Sequence, residues 1–425
     1  MTDVIVVGAG VAGLSAAAAL RRAGVACEVL EAAGRIGGRA WTDYPAALAG
    51  AGFDHGASWL HAAERNPLAD LARAHGDPVN ETGPEWTRRV MIDGRPATAA
   101  ELADYDAASE RFSEVASARA DTEPDVSVAE AVAGLRDDPW TATVETWEAT
   151  LIAAAAPEDF SVRDWRLNEL HGSNLRVAGG VGALVARRLA PQAGPVRLGT
   201  AVSRIEWDRR DGVTVTTPRG ALTARACIVT VSTGVLAAGA IAFAPVLPAV
   251  QQAAIEGLPM GLLTKVALQA AGADRLGIAA GSSLYHRVAA PGAPAMMFAA
   301  WPGGADHMVG FVGATAAWDL ARAGAGATEA FARDELSTLL GARAVAAFAG
   351  AMVTGWGVDP LHRGAYCYAR PGQVQARAAM DAPLGRLIFA GEAWCTDGLA
   401  GTVGGAFRSG ERAAGMALAL LGRAR

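Results

Sequence analysis

Lysine is almost absent from this chain of 425 residues: of its 37 lysine and arginine residues, only Lys265 is a lysine. Arginine keeps its charge in proteins, whereas a buried lysine amine can lose its proton and act as a base or position a water molecule. Lys265 also stands inside the apolar stretch Met260–Gln269, where a charged side chain is expensive to bury. The sequence therefore predicts a specific chemical need for an amine at this position.

Cysteine, net charge and long apolar runs are also scarce. Four cysteines do not make a disulfide framework, which favours a reducing cytoplasm. The net charge of −6 argues against nucleic acid as the main partner. No uncharged apolar run reaches roughly 18 residues, and the first apolar run starts almost at once, so we expect neither a membrane span nor a signal peptide. The sequence predicts no metal site and gives no oligomeric state.

The most specific motif opens the chain, where the apolar run Asp3–Val7 leads into Gly8, Gly10 and Gly13 and then into an alanine-rich segment. This order is typical of a strand, a tight turn and a helix start. The first glycine lets the chain turn, the second lets the backbone approach a pyrophosphate, and the third lets helix and strand pack closely. The pattern predicts a dinucleotide site at the helix N-terminus.

The residues after this motif indicate which dinucleotide it is. A second predicted strand, Val25–Leu30, ends at Glu31, whose carboxylate can accept hydrogen bonds from the ribose hydroxyls of an adenosine. Arg35, Gly38 and Arg39 follow directly. An NAD enzyme does not need two cations there. They suit a dinucleotide that stays bound, because they can neutralise its pyrophosphate or approach the carbonyls of a second ring system.

With these motifs the chain resembles the flavin-dependent amine oxidases, the family of polyamine oxidases, monoamine oxidases and lysine-specific histone demethylases. The likeness continues to the far end, where Leu387–Phe389 precedes Gly391 and Glu392, and a small-residue helix start follows at Thr402. It implies non-covalent FAD and hydride transfer from the carbon beside a neutral amine to flavin N5. The resulting imine is hydrolysed to an aldehyde, and dioxygen is reduced to hydrogen peroxide. A polyamine-type substrate is favoured.

The resemblance implies an α/β fold in which a Rossmann-like FAD-binding domain is interleaved with an α+β substrate domain, a mixed sheet flanked by helices. Residues 67–163 are mostly helical in pattern and residues 196–231 alternate in strand period. The predicted FAD-binding segments are residues 1–56, 175–250 and 384–425, and the substrate-binding segments are residues 57–174 and 251–383.

The resemblance also assigns the catalytic positions. Lys265 would hold a water molecule at flavin N5, and Tyr368 would form the aromatic wall that guides the amine. Tyr366 lies two positions earlier, on the same face of a predicted strand. Many family members have a second cage tyrosine where this chain has Thr402, and Trp394 is the predicted substitute.

Other candidates have weaker support. His61 falls where polyamine oxidases carry a substrate-side histidine, although an ordinary loop histidine is an equal interpretation. Glu169 and His171 either line the substrate entrance or belong to a polar loop. The remaining predicted flavin contacts are small, aromatic or polar residues in several segments: Ala57, Ser58, Trp59, Val202, Trp356, Gly391, Glu392, Thr402 and Val403.

Several alternatives stay open. Cys367 permits covalent flavin attachment, as in monoamine oxidases, but its flanking residues resemble the non-covalent branch better. A flavin desaturase or protoporphyrinogen-type oxidase shares both terminal motifs and does not require Lys265. An L-amino-acid oxidase needs a cation for the substrate carboxylate, such as Arg363 or Arg287. A flavin-binding protein without turnover is the remaining class, and the sequence shows no clear ladder of acids for a polycation.

Overall fold

Two large β-sheets organise the chain in the computed structural model, which describes residues 2–80, 87–272 and 275–423, apart from the side chain of Arg209. The strands are β1 Thr2–Val7, β2 Cys27–Leu30, β3 Thr42–Asp43, β4 Phe53–Asp54, β5 Thr87–Ile92, β6 Arg95–Pro96, β7 Val196–Arg197, β8 Arg204–Arg209, β9 Gly212–Thr217, β10 Gly220–Val229, β11 Ala242–Ala244, β12 Met260–Gly261, β13 Leu263–Ala270, β14 Ser282–His286, β15 Met297–Ala300, β16 His307–Gly313, β17 Phe348–Val353, β18 Tyr366–Cys367 and β19 Leu387–Phe389.

Helices cover both sheets. They are α1 Val11–Arg22, α2 Pro67–Ala74, α3 Ala99–Ala120, α4 Val128–Ala131, α5 Thr141–Glu145, α6 Val162–Leu167, α7 Val181–Leu184, α8 Ala190–Ala193, α9 Thr233–Ala237, α10 Ala249–Gly257, α11 Ala314–Ala323, α12 Ala325–Leu340, α13 Ala342–Val345 and α14 Val403–Leu420. Short 3₁₀ segments lie at Ala46–Leu48, Ala133–Leu135, Pro302–Gly304, Val374–Met380 and Glu392–Trp394, and π-helical segments at Thr146–Ile152 and Val185–Leu189.

The first sheet has the strand order β11-β8-β9-β10-β1-β2-β7, with β19 also paired to β10. β1 lies between β2 and β10 and runs parallel to both. Its residues Val4–Val7 are buried, as expected for a β-branched strand covered on both faces. The carboxyl ends of β1 and β2 therefore meet at one edge of the sheet, which is where ligands bind in parallel α/β sheets.

The second sheet has the order β17-β13-β16-β15-β14-β5-β6 and is mixed, because β5 pairs parallel to β14 while its other pairs are antiparallel. Lys265 lies in β13, opposite Phe311 of β16. This α/β architecture with a second, mixed sheet confirms the predicted fold class. The stretch 67–163 also contains strands β5 and β6, which the mostly helical pattern did not indicate.

Helices α1 and α14 pack closely and bring their N-termini to the same region. Ser15 Oγ donates to the carbonyl oxygen of Phe407 at 2.9 Å. A methyl group added to Gly410 would lie 2.1 Å from the carbonyl oxygen of Ala12, so the two backbones approach as closely as glycine allows. Among the described residues no helix combines the length and the hydropathy needed to cross a membrane.

The strands of the first sheet come from residues 2–30, 196–244 and 387–389, and those of the second from residues 87–96 and 263–353. The exact domain boundaries stay a prediction.

Candidate active site

A cleft of about 1760 Å³ extends from the carboxyl ends of β1 and β2 to the face of the second sheet. Its lining includes Gly8 and Glu31 at one end and Lys265 and Tyr285 at the other. Drug-sized ligands occupy pockets of roughly 300–1,000 Å³. This cleft therefore has room for a dinucleotide together with a second small molecule.

The glycine turn fits a pyrophosphate. A methyl group added to Gly13 would lie 2.0 Å from the carbonyl oxygen of Gly8, and one added to Gly8 would lie 2.6 Å from Thr230 Oγ1, so packing requires both glycines. Gly10 differs, because its backbone is ordinary (φ −72°, ψ 179°) and an added methyl would meet no protein atom within 4 Å. The space beside Gly10 belongs to the cleft, at the N-terminus of α1, where a phosphate would be stabilised.

Glu31 follows β2 and lines the cleft. Its two carboxylate oxygens accept hydrogen bonds from the amides of Ala9 (2.7 Å) and Ala33 (2.8 Å). These bonds fix the carboxylate beside the glycine turn, where the predicted ribose contact requires it. Val202 lies in the loop before β8, is largely buried and also lines the cleft.

The two arginines after Glu31 have different surroundings. The Arg35 guanidinium lies 4.2 Å from the ring centroid of Trp41 and donates to the carbonyl oxygen of Gly38 at 2.8 Å. Its contacts support the loop, and Arg35 is not among the residues of the cleft wall. Arg39 does line the cleft and donates to Glu392 Oε1 at 2.8 Å. Of the two cations, Arg39 is therefore the one placed to face a bound dinucleotide.

Lys265 is the most unusual group in the cleft. The residue is only 6% exposed, and its Nζ donates to the carbonyl oxygen of Asp54 at 2.9 Å, to that of Gly56, and to Ser58 Oγ at 2.5 Å. Burial lowers the pKa of Lys265 to about 8, against the opposing pull of Asp54. The amine thus supports the loop 54–58 and exchanges its proton near neutral pH.

The loop held by Lys265 carries several predicted flavin contacts. Ala57, Ser58 and Trp59 all line the cleft. A methyl group added to Gly56 would lie 1.7 Å from the carbonyl oxygen of Arg39, so this loop packs directly on the one after Glu31. Trp356 also lines the cleft, and its indole N–H donates to the carbonyl oxygen of His55 at 2.8 Å. The structure therefore brings these predicted residues together.

Tyr366 and Tyr368 both lie at the cleft, as do Gly391, Thr402 and Val403. The Tyr366 hydroxyl donates to the carbonyl oxygen of Leu151 at 3.1 Å, and Tyr368 packs edge-on against Phe160. Thr402 Oγ1 donates to the carbonyl oxygen of Leu399 at 2.7 Å and accepts from the amide of Gly405 at 3.0 Å. Its hydroxyl is therefore used as the N-cap of α14.

Trp394 does not occupy the predicted position. It is 1% exposed, packs against Phe389 in the core behind the first sheet, and is not part of the cleft wall. Its carbonyl oxygen accepts from Arg412 at 2.6 Å. The prediction that Trp394 replaces a missing cage tyrosine is therefore wrong, because the 3₁₀ turn Glu392–Trp394 directs this side chain into the core.

His61 lines the cleft and is held by Asn174, whose Oδ1 lies 2.7 Å from His61 Nδ1. With this oxygen as the acceptor, the ring proton is on Nδ1 and Nε2 is left as an acceptor. Burial lowers the pKa of His61, so the ring is neutral at pH 7. Of the two residues predicted at the entrance, Glu169 lines the cleft and pairs with Arg166 and His171.

A buried polar chain that the sequence did not predict runs along the cleft wall. Arg377 makes a bidentate ion pair with Asp164, with bonds of 2.8 and 2.6 Å, and donates to Cys367 Sγ at 3.2 Å. The Cys367 thiol in turn donates to Glu392 Oε2 at 3.1 Å, and Glu392 accepts from Arg39. Burial and the neighbouring Glu392 raise the pKa of Cys367 well above its usual value, so the thiol stays protonated.

The cations proposed for an amino-acid carboxylate lie elsewhere. Arg363 is exposed, and Arg287 lies 4.0 Å from Asp93 and near the ring of Trp140. Neither belongs to the cleft wall, so the two cations predicted for an L-amino-acid oxidase do not line the cleft. Within the described residues no group of three His, Cys, Asp or Glu side chains is arranged to hold a metal ion.

Comparison with known proteins gives a consistent result. The profile of the family described as "Flavin containing amine oxidoreductase" matches residues 116–418, and that of the "NAD(P)-binding Rossmann-like domain" matches residues 6–74. Polyamine oxidase 2 of Arabidopsis thaliana is 30% identical over 97% of this chain and 87% of its own length. Polyamine oxidase 4 of Oryza sativa subsp. japonica is 29% identical over 97% and 88%. A structure of putrescine oxidase bound to putrescine superimposes with a TM-score of 0.79 at 23% identity, covering 97% of this chain and 98% of the other.

Proposed function

The chain belongs to the flavin containing amine oxidoreductase family, and we propose that it uses FAD to oxidise a small amine of the polyamine type, with dioxygen as electron acceptor. The observation that carries this proposal is the sole lysine, buried in the same cleft as the glycine turn, Tyr366 and Tyr368. A desaturase needs no such amine. The cytoplasmic location predicted from the cysteine content stays a prediction.

The residues at the cleft fit FAD. The Gly10 turn and the N-terminus of α1 would hold its pyrophosphate, Glu31 its adenosine ribose, and Arg39 together with Glu392 the chain that leads to the flavin ring. When bound, FAD accepts two electrons and a hydrogen from the carbon beside the amine nitrogen and passes the electrons to dioxygen, which yields hydrogen peroxide. The buried, protonated Cys367 thiol, hydrogen-bonded to Glu392, favours a non-covalent cofactor.

Lys265 supplies a proton-exchanging group at this site. Its three oxygen partners match the three N–H donors of an ammonium, whereas burial favours the neutral amine. The balance gives a pKa of about 8, so a small change in the surroundings is enough to change the protonation state. A neutral Lys265 has a lone pair with which to orient a water molecule in the cleft.

In this proposal His61 keeps the substrate amine neutral. Amines enter a protein mostly protonated near pH 7, yet hydride loss from the adjacent carbon requires the nitrogen lone pair. The neutral His61 ring, fixed by Asn174 through Nδ1, presents Nε2 as an acceptor for an ammonium proton. Tyr368 gives the neutral amine an aromatic surface to cross.

The test is anaerobic stopped-flow mixing of the purified holoprotein with spermine, spermidine, putrescine, benzylamine and an L-amino acid, while the absorbance of the oxidised flavin is recorded. We expect a polyamine-type amine to bleach the flavin rapidly and peroxide to form when air is admitted. Lys265→Met should slow the bleaching by roughly 10²-fold or more, the usual contribution of a proton-transfer group. Lys265→Arg is the matched control, because it keeps the cation and cannot lose its proton; it should be equally slow.

The proposal fails if no amine bleaches the flavin while dithionite does. It also fails if the Lys265→Met and Lys265→Arg variants are as fast as the parent protein.

A further inference from the structure

Glu148 lies on the cleft wall, and the reaction proposed above assigns no role to its carboxylate. It stands in the π-helical segment Thr146–Ile152, between the end of α5 and the loop before α6. Its Oε2 accepts a hydrogen bond from the indole N–H of Trp165 at 3.0 Å. π-Helical turns inside helices occur frequently at functional sites, because the additional residue in the turn redirects a side chain.

Glu148 differs from the other described carboxylates of the cleft wall in its partners. Four of those are paired with arginine: Asp106 with Arg88, Asp164 with Arg377, Glu169 with Arg166, and Glu392 with Arg39. Two are held by backbone amides: Glu31 by those of Ala9 and Ala33, and Asp54 by that of Val181. Within the part of the chain that the structure describes, Glu148 accepts one hydrogen bond, from the neutral indole N–H of Trp165.

A single neutral donor does not compensate for removing a carboxylate from water. Accordingly, burial raises the pKa of Glu148, and the nearby Glu169 adds to the effect. A cation arriving at Glu148 would lower the cost of the charged form. The surroundings also suit a cation, because Trp147, Tyr105 and Trp165 line the same part of the cleft and aromatic rings attract ammonium groups.

Glu148 and Lys265 lie in separate parts of the cleft. Lys265 Nζ contacts the loop 54–58, whereas Glu148 contacts the indole of Trp165 in α6. A substrate with one nitrogen near Lys265 therefore needs a second group to reach Glu148.

We propose that Glu148 binds a second cationic nitrogen of the substrate, so that this protein prefers diamines and polyamines to monoamines of the same length. This inference rests on the proposed function, since it assigns the substrate class of the same site. The sequence showed no clear ladder of acids for a polycation. The contacts of Glu148 become visible only in the folded protein.

The test separates binding from turnover. Holoprotein reduced with dithionite cannot oxidise an amine, so calorimetric titration with 1,4-diaminobutane and with butylamine measures affinity alone. In the parent protein, 1,4-diaminobutane should bind roughly 10- to 100-fold more tightly than butylamine, the factor of a charge-assisted hydrogen bond. Glu148→Gln keeps an acceptor for the Trp165 indole and loses the charge; it should bind both amines with nearly equal affinity.

Glu169→Gln is the matched control, because Glu169 lies on the same wall but already pairs with Arg166 and His171. It should keep most of the preference for the diamine. Equal affinities for both amines in the parent protein, or an unchanged preference in Glu148→Gln, would overturn the proposal for Glu148. Stopped-flow reduction of the oxidised flavin tests the oxidase function independently, so a protein that binds diamines selectively but is reduced by none of them would refute the proposed function alone.

Discussion

The pKa of Lys265 is the quantity on which the proposed chemistry depends most directly. In the folded protein it should be about 8, against 10.5 for an unperturbed lysine, because the amine is buried between the second sheet and the loop 54–58. A shift of this size, at ~1.36 kcal/mol per pKa unit, corresponds to about 3 kcal/mol of preference for the neutral amine. The rate of flavin reduction should therefore contain a pH-dependent component centred near pH 8.

The same shift makes the stability of the fold depend on pH. An unfolded lysine keeps its proton up to about pH 10.5 and the folded one releases it near pH 8, so between these values the unfolded chain binds more protons. Stability should rise with pH across that window. Below about pH 8 the full penalty of about 3 kcal/mol is present, and it is absent above pH 10.5. Lys265→Met should lack this dependence.

The scarcity of lysine makes the measurement unusually direct. Protein grown with lysine labelled with carbon-13 at Cε should give one NMR signal, because Lys265 is the sole lysine. Its chemical shift should titrate with a midpoint near 8, and the signal should be missing from Lys265→Met. A midpoint at or above roughly 10, the ordinary lysine range, would refute the argument that burial outweighs the three oxygen partners.

Two further predictions follow from the packing. Gly10→Ala adds a methyl that meets no protein atom within 4 Å, so the thermal stability of the apoprotein should change little. The Kd for FAD, measured by flavin fluorescence, should rise roughly 10- to 100-fold, because the methyl occupies the space beside the glycine turn. Equal losses of apoprotein stability in Gly10→Ala and Gly13→Ala would contradict this. Asp164→Asn leaves the Arg377 charge buried without its partner and should destabilise the fold by roughly 3–5 kcal/mol in denaturant unfolding. The double variant with Arg377→Met should recover part of that loss, and strict additivity of the two single changes would argue against a coupled pair.

The features that the sequence predicted correctly are those with local causes. The strand β1, the turn at Gly8 and the helix α1 follow one another within 22 residues, and Gly13 is required because its Cβ would meet the carbonyl oxygen of Gly8, a neighbour in the chain. Lys265 was found because the surrounding composition made it exceptional. Its position in a buried strand then followed from the apolar residues beside it.

The errors concern side-chain direction and long-range pairing. Trp394 was predicted to replace the cage tyrosine that is missing at Thr402, but the short 3₁₀ turn Glu392–Trp394 directs its side chain into the core. The Asp164–Arg377 pair joins residues 213 positions apart, and neither residue type nor spacing identifies such a partner. The strand β5 pairs in parallel with β14, almost 200 residues later, so its local pattern gave little indication of its partner.

Glu148 shows why a substrate-specificity residue is especially difficult to find from a sequence. Helical periodicity of 3.6 residues predicts which side chains share a face, but the π-helical segment Thr146–Ile152 changes that register, so the direction of Glu148 cannot be obtained from its spacing to the apolar residues. Its significance also depends on the arginines that neutralise the other acids of the cleft and leave Glu148 with an indole partner. That difference exists only in the folded protein. Cofactor chemistry can thus be inferred from local motifs, whereas the choice among amines depends on charges that the fold leaves uncompensated.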